Sequence, residues 1–191
     1  MTSAGRLPPM PTLAYAILAL LSRGPLTGME MSHKLRDPIG LYWEARHSQI
    51  YPALSRLAYR GWITSPEPAA PGLRPRRRYE ITVDGVAALR AWVGSPPSRR
   101  SHRDELLLRV YASWVCDRDV TVGLLRQAET RHRDRLQDYL ARRASSHTSR
   151  ELGPPGSATF ADYATLRRGI GFERGRLAWV RWLIRSLETG A

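Results

Sequence analysis

Apolar and polar positions recur along this chain with two different periods, and the changes of period divide it. From Thr12 to Ser22, Leu13, Ile17, Leu20 and Leu21 fall at helical spacing, so the stretch reads as a buried amphipathic helix ended by Gly24-Pro25. Thr27-Gly28-Met29-Glu30 then has the form of a capping box, in which the Thr hydroxyl accepts from the third helical amide and Glu30 reaches back. It opens a second helix that ends near Arg36, before Asp37-Pro38. After a connector over 38–46, a third helix starts at His47 or Ser48 and runs to about Arg60. Ile50, Leu54 and Leu57 form its apolar stripe, while Gln49, Pro52, Arg56 and Arg60 occupy a separate polar face. Pro52 is tolerated in the first turn, where amides lack intrahelical partners; deeper in, it removes a bond. Gly61 is placed to end the helix.

The period then drops to two. Trp62-Ile63-Thr64 reads as a short strand, Pro66 to Pro75 as an irregular loop, and Arg77 to Thr82 as the return strand. Residues 83–93 make a fourth helix, and the Pro-containing stretch 94–101 reads as a linker. The remainder is helical: 103–116, then 121–146, a loop over 147–157, and a last helix over 159–188. Leu166, Ile170, Leu177, Val180, Ile184 and Leu187 lie along one side of that last helix and are the candidate dimerisation seam. Gly169, Gly171 and Gly175 lower its propensity and would let another helix approach closely.

The expected fold is mainly α: an N-terminal winged helix-turn-helix with a two-stranded wing, followed by a C-terminal helical dimerisation domain. The organisation read from it is a flexible arm 1–11, a DNA-binding domain 12–95, a linker 96–102, and a helical dimerisation and effector domain 103–191. The third helix is narrow enough for the major groove, and its polar face can reach base edges. The wing carries Arg74, Arg76, Arg77 and Arg78, a density of like charge that favours neutralisation by a phosphate backbone.

Composition changes this picture little. Apolar residues make up 42% of the 191, enough for a packed core. The formal charge is +13, and almost all of the cations are Arg, with Lys34 the single lysine. Such a surplus suits a polyanionic partner, but residues 1–95 and 96–191 carry +6 and +7, so net charge does not locate a binding face. Cys116 is the single cysteine; a buried structural thiol in a reducing cytoplasm is expected. Leu13 to Leu21, the longest apolar stretch, is too short for a bilayer, so no membrane association is expected. No HExxH, paired-cysteine, phosphate-loop or GxSxG signature occurs, and an enzyme, a cofactor and a metal site are not expected. His132 and Asp134 face different sides of their helix and make a poor metal pair.

The stretches LAYAILALLSRGPLTGMEM, HSQIYPALSRLAYRGWI and RRRYEITVDG resemble the PadR-like transcriptional regulators. RDELLLRVYAS and LRRGIGFERGRLAWVRWLI resemble the long helical C-terminal domain of one PadR subgroup, so the resemblance covers most of the chain. It implies a homodimeric regulator, usually a repressor, binding a palindromic operator in double-stranded DNA and in many cases released by a small aromatic effector. By position it carries DNA contacts onto Ser48, Gln49, Tyr51 and Pro52 and onto the basic wing; Arg56, from its place on the helix, is added as a phosphate contact. Trp114, Trp179 and Trp182 are candidates for lining an effector cleft. Two features depart from the family pattern: the wing loop SPEPAAPGLRPRR is rich in proline, and Met29 stands where an aromatic is common, a change expected to affect packing alone. The competing reading is a helical scaffold or interaction protein, or a non-specific architectural protein that binds nucleic acid.

Overall fold

The computed structural model describes residues 10–36, 47–65, 77–97, 104–145 and 153–189, with backbone alone at 36 and 47. The arm 1–9, the connector 37–46, the wing tip with Arg74 and Arg76, most of the linker and the loop around 146–152 lie outside them. The chain divides into two compact units, Met1–Arg99 and Arg100–Ala191.

In the first unit the elements run α1 (Thr12–Leu21), β1 (Leu26–Thr27), α2 (Gly28–Arg36), α3 (His47–Tyr59), β2 (Ile63–Thr64), β3 (Arg78–Ile81) and α4 (Val83–Val93). Leu13, Ile17, Leu18 and Leu21 of α1 meet Met31 and Leu35 of α2 and Ile50, Leu54 and Leu57 of α3 in one buried core. The capping box forms as expected: the Glu30 amide donates to Thr27 Oγ1 at 3.2 Å, and the Thr27 amide donates to Glu30 Oε2 at 2.7 Å. Gly61, at φ 68°, takes the left-handed conformation that ends α3. Tyr15 stacks on Trp92 at 4.8 Å and meets Trp62 at 6.2 Å, which ties α4 to α1 and the wing base.

The sheet has three antiparallel strands in the order β1-β3-β2, one more than the two-stranded wing expected. Leu26 pairs with Tyr79 and Thr27 with Arg78; Ile63 pairs with Ile81 and Thr64 with Glu80. Two residues carry no readable period, so β1 becomes a strand through its partner β3.

The second unit contains α5 (Glu105–Tyr111), a one-turn 3-10 helix (Ser113–Val115), α6 (Arg118–Ser145) and α7 (Ala158–Thr189). The helix expected over 103–116 therefore breaks at Ala112. Beyond the break Cys116 is extended, and its thiol is exposed rather than buried. Side-chain pairs cross between α6 and α7: the ion pairs Arg126 with Glu188 and Glu129 with Arg181, and a hydrogen bond between His132 and Glu173. Partner numbers fall on α7 as they rise on α6, so the two helices are antiparallel. Leu125 of α6 packs with Val180 and Ile184 of α7, flanked by Leu106, Val110, Trp179, Leu183 and Leu187.

This packing corrects the seam read on α7. Ile170, Leu177, Val180 and Ile184 are buried within the unit itself, and Leu166 and Leu187 are half-buried. The stripe is the intramolecular core, so its buried part is unavailable to a second protomer. Of the three glycines, Gly169 is buried, whereas a Cβ at Gly171 or Gly175 would meet nothing within 4 Å.

Candidate nucleic-acid interface

The core fixes which side of α3 faces outward. Ile50, Ala53, Leu54 and Leu57 are buried, so Ser48, Gln49, Tyr51, Pro52 and Arg56 are all exposed together. Because α3 begins at His47, Ser48 lies inside the first turn rather than at the cap position. Pro52 is the sixth residue of the helix and has no N–H to donate to the Ser48 carbonyl. Tyr59 extends the same face, seven residues after Pro52 and three after Arg56, and is exposed. Sequence reasoning missed it, although the spacing from Pro52 and Arg56 was the available signal.

Tyr51 reaches across to the start of α2. A Cβ on Gly28 would lie 3.0 Å from Tyr51 Cε1 and 3.2 Å from its hydroxyl oxygen, so the ring rests against the glycine. Met29, the next residue, is 50% exposed beside this contact. The departure at position 29 therefore alters the outer surface next to α3, not the packing of the core.

The wing arginines divide. Arg74 and Arg76 lie outside the described residues. Arg77 donates through Nε to Ser65 Oγ at 3.0 Å and sits 5.7 Å from the Tyr79 ring, joining the two sides of the wing base. Arg78 donates to the Pro25 carbonyl at 2.6 Å, which ties β3 to the residue that precedes β1. Nearby, the two hydrogen bonds from Thr27, that from its amide foremost, hold the Glu30 carboxyl below the usual glutamate value; Arg78 and Lys34 add to this and burial opposes it. Both arginines remain exposed, so these bonds aim their guanidinium groups without removing them from the surface.

The three tryptophans read as an effector cleft do not come together. Trp179 packs into the inner cluster with the Arg176 guanidinium 5.5 Å from its ring, whereas Trp114 and Trp182 are 84% and 54% exposed. Among the described residues no ring contact joins them. Arg176 also pairs with Asp104, whose other oxygen accepts from the Leu107 amide and caps α5. Among the described residues no group of three or more His, Cys, Asp or Glu is placed to hold a metal, and no helix is long and apolar enough to cross a membrane.

The model of the transcriptional regulator PadR-like family matches residues 17–91, which span α1 to α4 and all three strands. Residues 17–91 form a domain of the PadR-like family of transcriptional regulators. A second model, the virulence activator alpha C-terminal domain, matches residues 102–188, which hold α5, α6 and most of α7. The negative transcriptional regulator PadR of Bacillus subtilis is 26% identical over 180 residues, spanning 94% of this chain and 99% of that protein. A crystal structure of Bacillus subtilis PadR in complex with operator DNA superposes with a TM-score of 0.80 at 25% identity, covering 93% of this chain and 99% of that one. The same protein in complex with p-coumaric acid superposes with a TM-score of 0.74 at 26% identity, covering 94% and 97%.

Proposed function

We propose that this PadR-like regulator is a cytoplasmic homodimeric repressor, without catalytic activity, that binds a palindromic operator and is released by a small aromatic effector. The observation that carries the DNA-binding part is the exposed row Ser48, Gln49, Tyr51, Pro52 and Arg56, held outward by four buried residues of the same helix. Bacillus subtilis PadR, which binds operator DNA, shares the fold over nearly the whole chain, and its complex with p-coumaric acid supports an effector.

In this reading residues 12–95 bind DNA, 96–102 connect, and 103–191 dimerise and receive the effector. Gln49 and Tyr51 read base edges, whereas Arg56 and the wing arginines Arg74, Arg76, Arg77 and Arg78 contact phosphates. Among the apolar side chains that the C-terminal unit leaves exposed, Leu107, Leu108, Tyr111 and Trp114 replace the α7 stripe as the surface for a second copy. A dimer would set two α3 helices about 34–36 Å apart, in successive major grooves.

The test compares affinity for the DNA upstream of the protein's own gene with affinity for random DNA at physiological salt. A repressor of this kind prefers its own upstream region by about a thousandfold or more. Equal affinity would instead favour the architectural reading, and no binding at low salt would favour the scaffold. Gln49→Ala should reduce specific binding more than non-specific binding, whereas Arg56→Ala should weaken both and reduce the salt slope by about one.

A further inference from the structure

Tyr59, the last residue of α3, is 86% exposed. Its distances in sequence from Ser48 and Pro52 are whole numbers of helical turns to within about 20°, so the three side chains point the same way. Ser55 and Arg56, between them, are exposed as well. The end of the helix is held firmly beneath this ring. The Arg60 amide donates to the Arg56 carbonyl at 3.2 Å, the Gly61 amide to the Ala58 carbonyl at 2.9 Å, and the Trp62 amide to the Leu57 carbonyl at 3.0 Å. Leu57 and Ile63, on either side, are buried, so the backbone at Tyr59 is anchored while its side chain projects outward. Arg60, the next residue, is half-buried, with its guanidinium 5.1 Å from the Trp62 ring. The exposed polar tip at this end of α3 is therefore a phenol and not a guanidinium.

We propose that Tyr59 is a further DNA contact, its hydroxyl donating to a backbone phosphate at the edge of the groove that the start of α3 enters. The inference rests on the reading of α3 as the helix that meets DNA. At 1.5 Å per residue, Ser48 and Tyr59 are about 16 Å apart along the axis, whereas the major groove is about 12 Å wide. A straight helix that sets Ser48, Gln49 and Pro52 against base edges has therefore reached the sugar-phosphate ridge by Tyr59. A contact there positions the protein and carries no base information. It also differs in kind from Arg56 and the wing arginines. A neutral hydroxyl does not neutralise the phosphate and releases no counterion, so the affinity it adds is not lost as salt rises.

The experiment measures binding of the full-length protein to two duplexes of equal length, the DNA upstream of its own gene and a random sequence, across a salt series. Tyr59→Phe keeps the ring and removes the hydroxyl. It should weaken binding to both duplexes by about tenfold or more, the value of a hydrogen bond to a charged group. The ratio of the two affinities, the slope of log affinity against log salt, the melting temperature and the oligomeric state should all stay as in the wild type. Tyr59→Arg should recover the affinity at low salt and steepen the slope by about one for each protomer bound. Ethylation interference should show a phosphate contact in the wild type that Tyr59→Phe lacks. The proposal is overturned if Tyr59→Phe binds both duplexes like the wild type, if it loses affinity for the upstream DNA alone, or if it changes the oligomeric state. A wild type that binds neither duplex at low salt would instead sink the reading of α3 on which the proposal rests.

Discussion

Breaking the buried pair between α6 and α7 from one side should do more damage than removing both halves. His132 Nδ1 and Glu173 Oε2 lie 2.5 Å apart, with side chains 15% and 3% exposed. His132→Leu leaves the Glu173 carboxylate almost out of reach of water and without that partner. One-sided loss of a buried pair costs about 3–5 kcal/mol, because the remaining charge has neither solvent nor donor. In a unit of this size 1 kcal/mol corresponds to roughly 4–8 °C, so the transition of the C-terminal unit should fall by about 12 °C or more. Replacing both residues with Leu removes the desolvated charge altogether, and the double variant should lie within about 1 kcal/mol of the wild type or above it. Calorimetry of the full chain, completed as a double-mutant cycle with Glu173→Leu, measures the coupling directly. A loss below about 1 kcal/mol for His132→Leu would refute the reasoning, as would a double variant no more stable than the single one.

Three other outcomes test the N-terminal unit. Gly28→Ala brings a Cβ to 3.0 Å from the Tyr51 ring, which is half-exposed and can move aside; melting should change little, while operator affinity falls by about 1 kcal/mol or more as Tyr51 is displaced. Gly85→Ala is the contrasting case, since its Cβ would meet the Trp62 carbonyl oxygen at 2.1 Å and Ile81 Cγ1 at 2.8 Å; a loss of about 3 kcal/mol is expected in denaturant unfolding. The Glu30 carboxyl is held below its ordinary value of 4.5 in the folded state. Its contribution is therefore complete above that value and lost as pH falls through the lowered one; Glu30→Gln should flatten this part of the stability profile measured from about pH 5 to about pH 3.

The N-terminal half was legible because its signals are local. Thr27 and Glu30 cap α2 through each other, Gly61 ends α3 in the conformation that glycine favours, and one buried stripe decides which side of α3 faces out. What was not legible there depends on pairing at a distance. Leu26-Thr27 has no period of its own, yet it sets Thr27 beside Arg78 and so brings that guanidinium to the Pro25 carbonyl. A cluster of four arginines reads as a single charged surface until the bonds of Arg77 and Arg78 show that two of them also hold the wing base together.

The C-terminal half shows a different limit. A stripe at helical spacing states that a face is buried but not by what, because a helix of the same chain and one from a second copy present the same apolar surface. Leu177, Val180 and Ile184 satisfy both readings; all three are buried within the unit, the last two against Leu125 of α6. The proposed face for a second copy instead lies on α5 and the 3-10 turn, in a segment whose break at Ala112 its run of apolar residues concealed. Beyond that break Cys116 is exposed. His132 was weighed only against Asp134 two residues away, whereas its partner Glu173 stands on α7 and is brought to it by the hairpin. A buried carboxylate between the two helices fits one register of α6 against α7 far better than its neighbours, because a slip by one turn would part it from His132. The double replacement of His132 and Glu173 by Leu thus probes more than stability: it should relax the alignment of α6 against α7.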